Sequence, residues 1–85
     1  MATFQIDSAF TAEIKNLIAK EDTTRLKRKL KPAHYADLSE IIETLSIDEA
    51  TYLIKLLGSD KTADALAEVD PDIREGILEQ LSAKV

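Results

Sequence analysis

The chain has no cysteine and no tryptophan, and only one histidine, two glycines and two prolines in 85 residues. Without cysteine there is no disulfide, no thiolate metal site and no thiol nucleophile. A lone histidine, His34, forms neither a histidine metal cluster nor a His dyad. So few glycines and prolines leave little room for long loops. There is no Gly-rich phosphate loop, no G-x-S-x-G, no H-E-x-x-H and no EF-hand loop. These absences make an enzyme the least favoured class. No apolar run approaches the length of a membrane span. The opening MATFQIDSAF lacks a basic stretch leading into an apolar core, so it is not expected to act as a signal peptide. A cytoplasmic setting is the expectation.

What is present fits one helical domain spanning residues 1–85. Hydrophobic residues at 45% and charged residues at 32% are ordinary for a soluble globular protein, and the length permits one modest core. The net charge of −5 conceals an asymmetry. Up to Lys31 there are seven Lys/Arg against four Asp/Glu, and from Pro32 onward four against twelve. An acidic second half argues against a nucleic-acid partner. The basic cluster Arg25, Lys27, Arg28, Lys29 and Lys31 has no interleaved aromatics. It reads as a solvated helix face beside Leu26 and Leu30, or as a contact for an acidic partner or anionic headgroups.

From Leu45 to Leu81 the chain repeats every twelve residues. Leu45, Leu57, Val69 and Leu81 form one column. Ile42, Ile54, Leu66 and Leu78 form a second, and Ile41, Leu53, Ala65 and Ile77 a third. Ser46, Gly58 and Asp70 stand at the turns. Within each unit the apolar residues follow i,i+3 and i,i+4 spacing, so each is one short helix and a tight turn. Such helices are marginal alone and must stack into a solenoid-like array. Helices are predicted from Asp7 or Ser8 to about Lys20, from Asp22 or Thr23 to about Leu30, and from His34 or Tyr35 to about Thr44. Three more follow at about 47–57, 60–68 and 71–83. Phe4 and Ile6 are expected to tuck against the fold. Ser46 and Glu49 spell a capping box, Gly58 suits a helix end, and Pro71 suits a first helical position. His34 is expected as a cap or surface imidazole, and Tyr35 and Tyr52 as partly buried packing residues. Ala63, Ala65 and Ala67 should let a neighbouring helix approach, and so should Gly76.

Asp48, Asp60 and Asp72 form an acidic column in the first turns of successive helices. Two readings stand. Each Asp favours the positive end of its helix dipole, or together they build an acidic ridge for Mg²⁺ or Ca²⁺, with Asp64, Glu68 and Asp70 adding acid nearby.

The segment HYADLSEIIETL is similar to the H-P-A-D-[IL]-A-E-[IL]-[IL]-E-x-L pattern of the cytosolic N-terminal domain of MgtE-type magnesium transporters. His34, Ala36, Asp37, Leu38, Glu40, Ile41, Ile42, Glu43 and Leu45 carry it. The run from Leu53 to Leu81 resembles that family's helix-turn-helix stretch, most closely over Val69, Asp70, Pro71, Asp72, Arg74, Leu78 and Leu81. Tyr35, Ser46-Ile47 and Gly58-Ser59 depart from its usual prolines. The resemblance implies an all-α, right-handed superhelix with a regulatory, Mg²⁺-sensing task. It implies a weak interdomain Mg²⁺ contact at Asp64, the match to the acid of an A-A-E motif. Folding is expected to need no metal, because the repeated apolar columns already supply a core. Its implied partners are the CBS modules and membrane pore of the parent transporter. The family's domain usually continues further, so this chain is expected to be cut short at its C-terminal end. The sixth helix should then expose Ile77, Leu78 and Leu81 and favour self-association. The competing class is a helical protein-interaction module, either a free-standing adaptor or a piece resembling the middle part of a flagellar motor-switch protein.

Overall fold

In the computed structural model, which describes residues 6–82, the chain forms six helices and no strand among those residues. They are α1 (Ser8–Ala19), α2 (Thr23–Leu30), α3 (Tyr35–Glu43), α4 (Ile47–Leu57), α5 (Ser59–Glu68) and α6 (Pro71–Ser82). The expected boundaries hold to within one or two positions. Phe4 and the last expected position of the sixth helix lie outside the described residues. Ile6 does pack, half-buried, against the core.

Local chemistry accounts for each helix end. Asp7 caps α1 by accepting from the Phe10 N–H at 2.9 Å. Asp22 does the same for α2 through the Arg25 N–H at 3.3 Å. Between them Glu21 takes the left-handed conformation, with φ 55°. Its N–H reaches the Ile18 carbonyl and the Asp22 N–H reaches the Leu17 carbonyl, both at 3.0 Å. That pair of bonds is a Schellman ending, built here without glycine. His34 is the exposed N-cap of α3, and its N–H donates to the Asp37 carboxylate at 3.2 Å. The capping box at α4 is complete: the Glu49 N–H donates to Ser46 Oγ at 3.1 Å and the Ser46 N–H to Glu49 Oε1 at 2.9 Å. That backbone bond holds the Glu49 carboxyl below its usual range, and Lys15 Nζ at 3.4 Å adds to the effect. Gly58 closes α4 and opens α5 at φ +91°, ψ 154°.

The helices pack at a stagger. α3 lies on α5, α4 lies on α6, and α1 pairs with α2. α4 also touches α1, α2 and α5. The body measures 39 × 26 × 22 Å, longer in one direction, as a stack of short units should be. Ile14, Leu26, Leu30, Leu38, Ile41, Ile42, Leu53 and Ile77 are fully buried.

The three apolar columns fare differently. The third is buried throughout, from Ile41 to Ile77. The second loses cover along the chain: Ile42 is 1% exposed, Ile54 5%, Leu66 partly buried and Leu78 48% exposed. The expectation that Ile77, Leu78 and Leu81 would all be uncovered therefore holds only for Leu78. Ile77 belongs to the column that faces back into the stack, and Leu81 is half-buried against the core. Ala65 is buried as expected, whereas Ala63 and Ala67 face solvent instead of a neighbouring helix. Tyr35, at the first position of α3, is half exposed and does not pack as expected. Tyr52 is half-buried, and its hydroxyl is enclosed without a hydrogen-bond partner among the described residues.

Gly76 marks a close approach of α6 to α4. A Cβ there would sit 3.1 Å from Ile47 Cδ1, tighter than side chains ordinarily pack. Removing the Cδ1 should release the helix-forming benefit of alanine. Gly76→Ala should gain less than about 1 kcal/mol in the native chain, its full propensity gain. In an Ile47→Val background it should gain more, with a coupling of about 0.5–1 kcal/mol in a denaturant double-mutant cycle. Strict additivity would show that Ile47 does not hold this position to glycine. At Gly58 the space is open, so only the backbone resists a side chain. Gly58→Ala should cost about 1–3 kcal/mol in urea unfolding, the strain of a glycine-only conformation.

Candidate functional site

Helical geometry turns the acids of α5 into a stripe. Asp60, Asp64 and Glu68 stand four residues apart, so they rise one above another on the same face. All three are exposed, and none takes part in an ion pair among the described residues. Ala63 and Ala67, also exposed, lie beside them. The result is an acidic row flanked by short side chains, which another surface can approach closely. The inward side of the same helix is held by Ala65 and by Thr62, whose buried hydroxyl donates to the Gly58 carbonyl at 2.8 Å.

Several other acids are engaged by the fold. Asp48 Oδ1 accepts from Gln80 Nε2 at 2.6 Å and so ties α4 to α6. Asp70 Oδ1 accepts from the Asp72 N–H at 3.0 Å, within the turn that starts α6. The Asp70 N–H donates to Glu43 Oε2 at 3.0 Å, which anchors that turn to α3. Asp72 stands in the first turn of α6, where the helix dipole favours it. Asp48 and Asp60 hold the same place in α4 and α5. Arg74 completes the turn by donating to the Leu66 and Ala67 carbonyls at 3.4 and 3.2 Å, closing the end of α5. Sequence reasoning singled out Asp48 and Asp70 as acids but missed the partners that engage them. Gln80, Glu43 and the role of Arg74 become legible only when distant segments meet.

Among the described residues no three His, Asp or Glu side chains gather as a metal-ligand group. The donor set of α5 nonetheless suits a hard cation. Carboxylate oxygens are the ligands Mg²⁺ prefers, and that ion is commonly held by one or two of them plus water. Asp64, with either Asp60 or Glu68 one turn away, could thus supply one or two carboxylates on one side of an ion held between two surfaces; Asp60 and Glu68, about 12 Å apart along the helix, do not share one ion.

Comparison with known proteins gives one match. The sequence model of the family described as the MgtE intracellular N domain covers residues 33–85, more than half of the chain. The match takes in α3 to α6 and leaves α1 and α2 outside. No curated protein and no solved structure matches.

Three like charges in register should strain α5. Asp64 has an acid four residues away on either side, and each such pair is mildly destabilising. Asp64→Asn should raise stability by about 0.4–1 kcal/mol for the two pairs, shrinking with added salt. Thermal melts at low and high NaCl test this. A loss of stability would mean that the Asp64 carboxylate is a structural group.

Proposed function

Because the chain belongs to the family of the MgtE intracellular N domain, a non-catalytic regulatory domain of magnesium transporters, we propose that it senses Mg²⁺ through the acidic face of α5. Asp64, flanked by Asp60 and Glu68, provides one side of a contact whose other side belongs to the CBS modules of the parent transporter. Two acidic surfaces repel one another. A divalent cation between them cancels the repulsion and supplies ligand bonds to both, so a rise in intracellular Mg²⁺ favours the closed-up arrangement that shuts the membrane pore. The observation that carries this reading is the exposure of three aligned carboxylates without ion-pair partners among the described residues. Asp48, Asp70 and Asp72 are secondary candidates, since the first two already accept hydrogen bonds within the domain.

A second reading has its own observation. Leu78, 48% exposed at the open end of the stack, offers an apolar contact for another helical unit, a second copy included. A concentration-dependent rise in sedimentation that Leu78→Lys removes would identify that use.

Calorimetric titration of this chain with MgCl₂ tests the first reading. With the ligands of only one surface, the ion should bind at millimolar affinity or weaker and release with salt. Amide chemical-shift changes should centre on Asp60, Asp64 and Glu68 and vanish in Asp64→Asn. Helix content should be the same in EDTA, because the apolar columns already form a core. Micromolar binding, or shifts centred on Asp48 and Asp72, would overturn this assignment.

A further inference from the structure

We propose that the outer face of α2 docks on anionic lipid headgroups. α2 is two-sided. Leu26 and Leu30 are fully buried. Lys27, Arg28 and Lys31 fall within an arc of about 100° on the opposite side, at 3.6 residues per turn. All three are exposed, and none forms an ion pair among the described residues. The flanking cations are engaged: Arg25 with Asp22 at 3.5 Å, and Lys29 with Glu13 at 3.0 Å while lying 5.2 Å from the centre of the Phe10 ring. Lys61 adds charge at the far end, where its Nζ donates to the Lys31 carbonyl at 3.0 Å.

Folding does not require this arrangement. Burial asks only for Leu26 and Leu30, and the helix dipole favours cations in the last turn without demanding one sign throughout. The pairs Arg25–Lys29 and Lys27–Lys31, four residues apart, repel. An outer face with both signs would be more stable. α2 also lies outside the region that matches the family, so the repeat array does not dictate its surface.

The shape suits a phosphate headgroup. Between α1 and α2 is an open cavity of about 260 Å³ lined by Glu13, Leu17, Arg25, Arg28 and Lys29, in which Glu13 holds Lys29, Asp22 holds Arg25, and Arg28 has no ion-pair partner among the described residues. Guanidinium groups bind phosphate oxygens, and an apolar wall accepts the less polar part of the headgroup. The occupant follows from charge: three exposed cations on one face, without ion-pair partners among the described residues, complement an anionic surface, and the family is one of membrane transporters. α2 has no aromatic side chain on which nucleic-acid bases could stack. Each basic residue near an anionic surface is worth about a fivefold gain in binding, so three give on the order of a hundredfold. That is weak for a free domain and sufficient for a tethered one, where the effective concentration is already high.

Sedimentation of this chain with vesicles tests the proposal. The chain should pellet with equal mixtures of phosphatidylcholine and phosphatidylglycerol, and not with phosphatidylcholine alone. Binding should disappear between roughly 0.05 and 0.5 M NaCl as screening shortens. The variant Lys27→Gln/Arg28→Gln/Lys31→Gln should lose on the order of a hundredfold. The control Asp60→Asn/Asp64→Asn/Glu68→Gln changes net charge by the same amount in the opposite sense, and should bind at least as well as the native chain. All these side chains are exposed, and circular dichroism confirms that each variant is folded. Equal binding to both vesicle types, or binding that survives the α2 changes, would overturn the proposal. So would tighter binding to duplex DNA than to the anionic vesicles. The outcome is independent of whether α5 binds Mg²⁺.

Discussion

A helix of eleven residues is close to marginal in water, and α4 is stable because it is enclosed. α1, α2, α5 and α6 all touch it, and Ala50, Thr51, Leu53 and Ile54 are buried along its length. The buried Thr51 hydroxyl is satisfied within the helix, by the Ile47 carbonyl at 2.7 Å. This enclosure sets the rest of the architecture. α4 needs helices on several sides, so its neighbours in sequence cannot simply lie side by side. They alternate, with α3 against α5 and α4 against α6, and each unit helps to cover the next but one.

The two ends of the stack differ in consequence. At the N-terminal side α1 and α2 break the twelve-residue repeat and close the array, with apolar side chains inward and a cationic face outward. At the other side no helix among the described residues lies beyond α6, and the second apolar column runs out into solvent at Leu78. A repeat array is stabilised by nearest-neighbour contacts, so an uncovered column is where another unit would add most.

The acids divide by the same geometry. Asp48, Asp70 and Glu43 are drawn into cross-links and the turn before α6. Asp60, Asp64 and Glu68, along the outside of α5, form no ion pair among the described residues and repel one another. No helix among the described residues is long and apolar enough to cross a membrane.

Helix number, helix ends and the family were all readable from the chain, because they rest on local chemistry. Ser46 and Glu49 cap one another across a single turn, Gly58 is the residue that tolerates its backbone angles, and Pro71 begins a helix wherever it follows such a cap. The stripe on α5 was half legible. Asp64 stood out through the family pattern, while Asp60 and Glu68 entered only as lesser candidates. Which apolar residues would stay exposed was not readable. Ile77 and Leu78 are adjacent and equally hydrophobic, yet one is sealed and the other is half in water. Periodicity defines the face of a helix, but only the position of α4 against α6 decides which part of that face is covered. The enclosed hydroxyl of Tyr52, the exposed Ala63 and Ala67, and the bond from Gln80 to Asp48 arise in the same way, from segments the sequence keeps far apart.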